Sequence, residues 1–216
     1  NSNTAIGKEA LKLNTTGVEN TAVGHHALNV NTSGQQNVAL GRLALLANTT
    51  GSSNTAVGRS ALNANTTAAN NTAVGTLALT ANTTGDLNTA VGQGALAVNT
   101  TGVSNDAFGA LALDANTTGN FNVALGRSAL GANTTASNNT AVNTAVGYSA
   151  LSANCGNGNT AIGLGSLVIC TGEYNTATGY LSGDAITSGG YNALFGQAAG
   201  TAVTEGNRNV CIGDRA

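Results

Sequence analysis

The residues best placed to do chemistry in this chain come in a row. Asparagine followed two residues later by threonine or serine is the acceptor pattern for N-linked sugar. It stands at Asn14, Asn31, Asn48, Asn65, Asn82, Asn99, Asn116 and Asn133, every 17 residues. Two further matches, Asn70 and Asn138, come from N-N-T. Sugars on these amides would line one edge of whatever element presents them. The same spacing also suits stacked turns and polar ladders, and sugars only about 4.8 Å apart would crowd. The cysteines are the other reactive side chains. Cys155 and Cys170 fall at nearly one register of successive repeats, replacing part of the N-T-T word. A disulfide between them is expected if their Cα atoms lie about 5–6 Å apart. Cys211 takes an alanine position and reads as a small core residue.

No catalytic, cofactor-binding or metal-binding set is expected, and therefore no enzyme. His25 and His26 sit together at a corner with no cysteine or second histidine pair in register. The nine acidic residues, Glu9 to Asp214, occupy scattered registers and form no recurring dyad for acid–base work. Lys8, Arg42, Arg59 and Arg127 share one register, a sparse basic edge. Threonine recurs at Thr4, Thr21, Thr55, Thr72, Thr89, Thr144, Thr160 and Thr176, which raises an ice-binding reading. Val38, Asp106, Val123, Ala193 and Val210 interrupt that row.

Composition limits what can position these residues. Charged residues are 7% of the 216, against about 25% in ordinary globular chains. Aromatics are 3%, and there is no Trp, Met or Pro. Small side chains of this kind fill a thin core, not a thick one. Disorder usually goes with high net charge and abundant Pro, Glu and Lys. Here the net charge is −2 and the aliphatic residues are periodic. The scattered cations and scarce aromatics give no footprint for nucleic acid, and no apolar run approaches the about 20 residues of a membrane span.

The elements follow from a repeat. The glycine of N-T-A-V-G recurs at Gly7, Gly24, Gly41, Gly58, Gly75, Gly92, Gly109 and Gly126 in steps of 17, then at Gly147, Gly163, Gly179, Gly196 and Gly213. The step to Gly147 is 21 because N-T-A-V is written twice, at 139–142 and 143–146. Four residues before each glycine stands asparagine: Asn3, Asn20, Asn37, Asn54, Asn71, Asn88, Asn105, Asn122, Asn143, Asn159, Asn175, Asn192 and Asn209. This reads as an amide ladder, each side chain bonding the next coil or capping a turn.

A unit of this length is too short for a two-helix repeat and suits one coil of a solenoid. The expected fold is all-β: a parallel β-solenoid of about thirteen coils of 16–17 residues. Residues 1–139 form its regular part, and 140–216 continue it with irregular coils and the cysteines. Two extended segments per coil are expected, N-T-A-V and A-L-x-A/V-N, with a one-turn helix at G-x-x-A-L as an alternative corner. In N-T-A-V, alanine and the following aliphatic residue point to opposite faces and both are apolar. That predicts a strand buried on both sides, the alanine side free of bulk and suited to close approach by a second wall or a second chain.

The words NTAVGxxAL and NTTG resemble repeats of tail-fibre-like surface proteins of bacteria and phages. They are also similar to the head repeats of trimeric autotransporter adhesins, whose units are shorter. The resemblance implies a fibrous, extracellular, often trimeric β-solenoid at a cell or virion surface. The expected function is a structural fibre or filament protein, self-associating as a homo-oligomer or as an end-to-end fibre through its open sheet edges, and open to glycosylation along one edge. The alternative is the shaft of an adhesin or tail fibre that presents a receptor-binding tip, and the third reading is an ice-binding solenoid. The chain starts and stops in mid-repeat, which reads as a processed protein or the ordered part of something longer.

Overall fold

The computed structural model describes residues 2–134 and 143–216. Thirteen strands of three residues each, β1 (Thr4–Ile6) to β13 (Val210–Ile212), form one sheet in sequence order. Every neighbouring pair is parallel and in register, so Thr89 faces Asp106, Ala90 faces Ala107 and Val91 faces Phe108. The chain is a parallel β-solenoid, with no helix among the described residues. Twelve steps between thirteen strands, at about 4.8 Å each, make a sheet about 60 Å long. The second copy of N-T-A-V supplies β9 (Thr144–Val146), which pairs directly with β8 (Val123–Leu125). The first copy lies outside the described residues.

Most of the backbone bonding runs along the axis. In the sixth coil Thr89 N donates to Asn105 O at 2.8 Å, Gly92 N to Val74 O at 2.8 Å, and Leu96 N to Ala112 O at 3.0 Å. One coil therefore bonds both neighbours, and little holds it closed by itself. The corner glycine is required: its φ lies at 125–140° throughout, a region L-residues rarely enter. A Cβ on Gly92 would also come within 2.5 Å of the Gly109 carbonyl.

The second expected strand does not form. The leucine of A-L, from Leu11 to Leu151, and Leu167 after Ser166 in the next coil have φ of 48–53°, ten coils in all. Left-handed backbone costs about 1–2 kcal/mol for an L-residue. Burying a leucine returns about 1.5–3 kcal/mol, and nine of these ten leucines, Leu28 to Leu167, are fully buried. The core thus imposes the conformation. A left-handed residue breaks the alternation of a strand, so the aliphatic residue two places later turns outward, leaving Leu13, Val98 and Ile169 exposed. The expected helical corner is absent too. Ala95 N donates to Gly92 O at 3.3 Å, a single turn that does not propagate.

The two-sided burial of N-T-A-V is also corrected. Alanine, not the residue after it, faces the coil interior: Ala22, Ala39, Ala56, Ala73 and Ala90 are fully buried. The aliphatic residue points outward. Ile6, Leu40, Phe108, Leu125, Ile162, Phe195 and Ile212 are exposed, and Val23, Val57, Val91 and Val146 are half-buried. The core is consequently thin, built of two alanines and one leucine per regular coil.

Candidate functional site: two buried amide ladders

Each regular coil sends two asparagine side chains inward. The asparagine preceding the strand forms the first ladder. Asn20 Nδ2 donates to Gly34 O at 2.9 Å, while Asn20 Oδ1 accepts from both the backbone N (3.0 Å) and Nδ2 (3.1 Å) of Asn37. The pattern continues through Asn54, Asn71, Asn88, Asn105 and Asn122 and resumes from Asn159 to Asn209. In a core of alanine and leucine these amides are the polar groups that must be paired, and an unpaired one costs about 1–3 kcal/mol. The repeat supplies the pairing: each amide meets an identical amide one coil away.

The asparagine of N-T-T forms a second ladder. Asn31 Nδ2 donates to Asn14 Oδ1 at 2.8 Å and to Gly34 O at 3.0 Å. Asn48, Asn65, Asn82, Asn99, Asn116 and Asn133 each donate in turn to the one before. All seven from Asn31 to Asn133 are fully buried. A sugar would replace a hydrogen on the nitrogen that makes these bonds, and it would have no way out of the coil. The expected row of sugars on these seven therefore does not fit the folded chain. Asn14, in the first coil, is half-buried, with its Nδ2 on Gly17 O at 3.0 Å. Asn70 is different: it is exposed at a left-handed corner, φ 59°. Asn138 lies outside the described residues.

The second ladder ends where the spacing changes. Cys155, Cys170, Ile186 and Val203 take over the inward place in the later coils. Among the described residues Asn133 Oδ1 has no partner, since the next rung is a thiol. Asn122 Oδ1 and Asn143 Nδ2 are likewise unpartnered, where the first ladder crosses the insertion. The disulfide expected between Cys155 and Cys170 is not formed; all three cysteines are free thiols. Burial pushes the Cys155 thiol up to about 12 and raises that of Cys170. Asn175 Nδ2 donates to Cys170 Sγ at 3.4 Å, so the sulfur serves the neighbouring amide ladder. Cys211 is partly buried and packs against the core.

The threonine after each N-T-T asparagine is committed as well: Thr83 Oγ1 donates to Thr100 O at 3.0 Å. The strand threonines of the ice-binding reading point outward beside the aliphatic row, half-buried in most coils. At the corner after the strand, His25 packs against His26 at 4.1 Å between ring centroids, and His26 Nδ1 lies 3.3 Å from Glu9. No group of three or more His, Cys, Asp or Glu is arranged to hold a metal among the described residues.

Sequence reasoning left the second ladder open, as one of two readings of N-T-T beside the sugar acceptor. The signal was present, since this asparagine recurs in the regular coils as strictly as the first one does. The acceptor pattern offered an outward reading of the same residues, which their burial removes for Asn31 to Asn133. No protein-family model, curated protein or solved structure matches this chain.

Proposed function

We propose that this chain is a structural rod, an element of an extracellular fibre at a cell or virion surface, and that it associates side by side with further copies. The observation that carries this reading is the outer row of the sheet. Ile6, Val23, Leu40, Val57, Val74, Val91, Phe108, Leu125, Val146, Ile162, Phe195 and Ile212 stand in register on one face, broken only by Thr178. An apolar strip running the length of a molecule with so little charge is the kind of surface that another copy covers. The ladders supply a rigid backing for it. Away from the insertion, where Asn122 Oδ1 and Asn133 Oδ1 are unpartnered, the inward asparagine amides of the regular coils are spent on the rod itself, which supports a mechanical role.

The test is the oligomeric state of the purified chain by light scattering, together with a variant carrying Val57→Asp and Leu125→Asp. Both side chains point outward, so the coil keeps its core. The reading expects an oligomer that becomes monomeric in the variant with unchanged circular dichroism. A wild-type monomer at every concentration contradicts it.

A further inference from the structure

Lys8, His25, Arg42 and Arg59 occupy the position after the corner glycine in four successive coils, and all four are exposed. Their backbones are locked in register. His26 N donates to Lys8 O at 3.0 Å, Leu43 N to His25 O at 3.0 Å, Ser60 N to Arg42 O at 2.9 Å and Leu77 N to Arg59 O at 3.0 Å. The four side chains therefore leave one edge of the rod at the coil spacing, about 4.8 Å.

Like charges at this spacing repel, and the chain does not neutralise them. Among the described residues the only ion pairs gather on Glu9, which meets Lys12 at 3.3 Å and His26 at 3.3 Å. Neither pair involves Lys8, Arg42 or Arg59. Burial, and then the charges of His26, Lys8 and Arg42, hold the His25 imidazole below its usual range, with Glu9 opposing them. A chain with only seven Lys and Arg in all has set three of them, plus a histidine, in one line.

We propose that Lys8, His25, Arg42 and Arg59 form a binding row for a linear acidic polysaccharide laid parallel to the solenoid axis. The row demands anionic groups repeating along a line at the coil spacing. A pyranose chain carrying one carboxylate per ring advances by a similar length per residue. Nucleic acid is the other linear polyanion, but it is held by aromatic platforms as well as by cations. No Phe, Tyr or Trp occurs before Phe108. Arg127 holds the same position in the eighth coil without such a row. Its guanidinium donates to Tyr148 Oη at 3.2 Å and sits 5.7 Å from that ring.

The experiment is calorimetric titration of the whole chain with polygalacturonate at low ionic strength. Fully methyl-esterified polygalacturonate serves as the uncharged comparator, and oligothymidylate as the nucleic acid. The row predicts binding to the acid alone, weakened by added salt. It predicts about tenfold or greater loss in the Arg42→Gln/Arg59→Gln variant and no change in Arg127→Gln. Binding should tighten on lowering the pH from 7 to 5.5, and His25→Gln should remove that gain. Equal binding of the ester, tighter binding of oligothymidylate, or an unchanged affinity in the double variant would each overturn the proposal. These outcomes do not depend on how many copies assemble.

Discussion

Asn88 and Asn99 donate their side-chain amides to the same carbonyl, that of Gly102, at 2.8 and 3.0 Å. One comes from before the strand and the other from the turn after it, eleven residues on. Together they tie the two ends of the coil to a single acceptor. Each also reaches one coil back, to Asn71 and to Asn82. The closure of a coil and its attachment to the stack thus rest on the same side chains.

The first consequence concerns Asn99. Replacement by Asp removes both N–H donors and sets a carboxylate against Asn82 Oδ1 and Gly102 O, the two acceptors it now serves. Asn99→Asp should cost about 3 kcal/mol or more, and Asn99→Ala about 1–3 kcal/mol. Urea unfolding checks both. Wild-type stability in both variants would show that the amide donors do not matter.

Leu96 tests the left-handed turn. Its φ is 51° and it is fully buried. Leu96→Met keeps the volume and the unbranched Cβ, at a cost below about 1.5 kcal/mol. Leu96→Ile keeps the volume but places a branched Cβ at positive φ, where it is a genuine outlier. Isoleucine should therefore lower the melting midpoint clearly more than methionine. The reverse order would place this residue in an extended segment after all.

These two residues also show what was legible from the residues alone. The repeat, its thirteen units, the corner glycines and the first ladder follow from spacing, because an identical environment recurs at each coil. Side-chain direction did not follow. Alternation along Ala95-Leu96-Ala97-Val98 assumes extended backbone, and one left-handed leucine sends Val98 outward. Asn99 was ambiguous for a related reason: N-T-T serves equally as a sugar acceptor and as a ladder rung. Only the direction of its side chain separates the two.

Asp114 occupies a place that asparagine fills elsewhere. Asn29 Nδ2 donates to Glu9 O at 2.8 Å, and Asn63 Nδ2 to Leu43 O at 3.1 Å. The equivalent acceptor for Asp114 is the Gly94 carbonyl, which a carboxylate cannot serve. Desolvation raises the Asp114 pKa, outweighing backbone hydrogen bonds from its own and the next N–H. Because the folded value lies above the unfolded one, the folded state binds more protons between them. The contribution of this group to stability therefore rises as pH falls through that interval and is lost as pH climbs past the folded value. Asp114→Asn should be more stable at pH 7, by about 0.5–1.5 kcal/mol, with the wild type gaining on it toward acid. Parallel pH profiles would contradict the assignment.

Cys155 and Cys170 should react slowly. The thiolate is the nucleophile, and burial holds Cys155 up near 12 and Cys170 above its usual value. A thiol-reactive dye at pH 8 should label partly buried Cys211 first. The other two should label only on unfolding, as mass spectrometry of the digested protein would show. Rapid native labelling of Cys155 would mean that the later coils open.

The outer aliphatic row is where the fold meets the proposed function, and a cryo-EM map of the assembled protein tests that link most directly. The predicted result is two or more rods packed along their lengths, with Ile6, Val57, Phe108, Leu125 and Ile212 at the contact. Single rods with this row facing solvent would contradict the account.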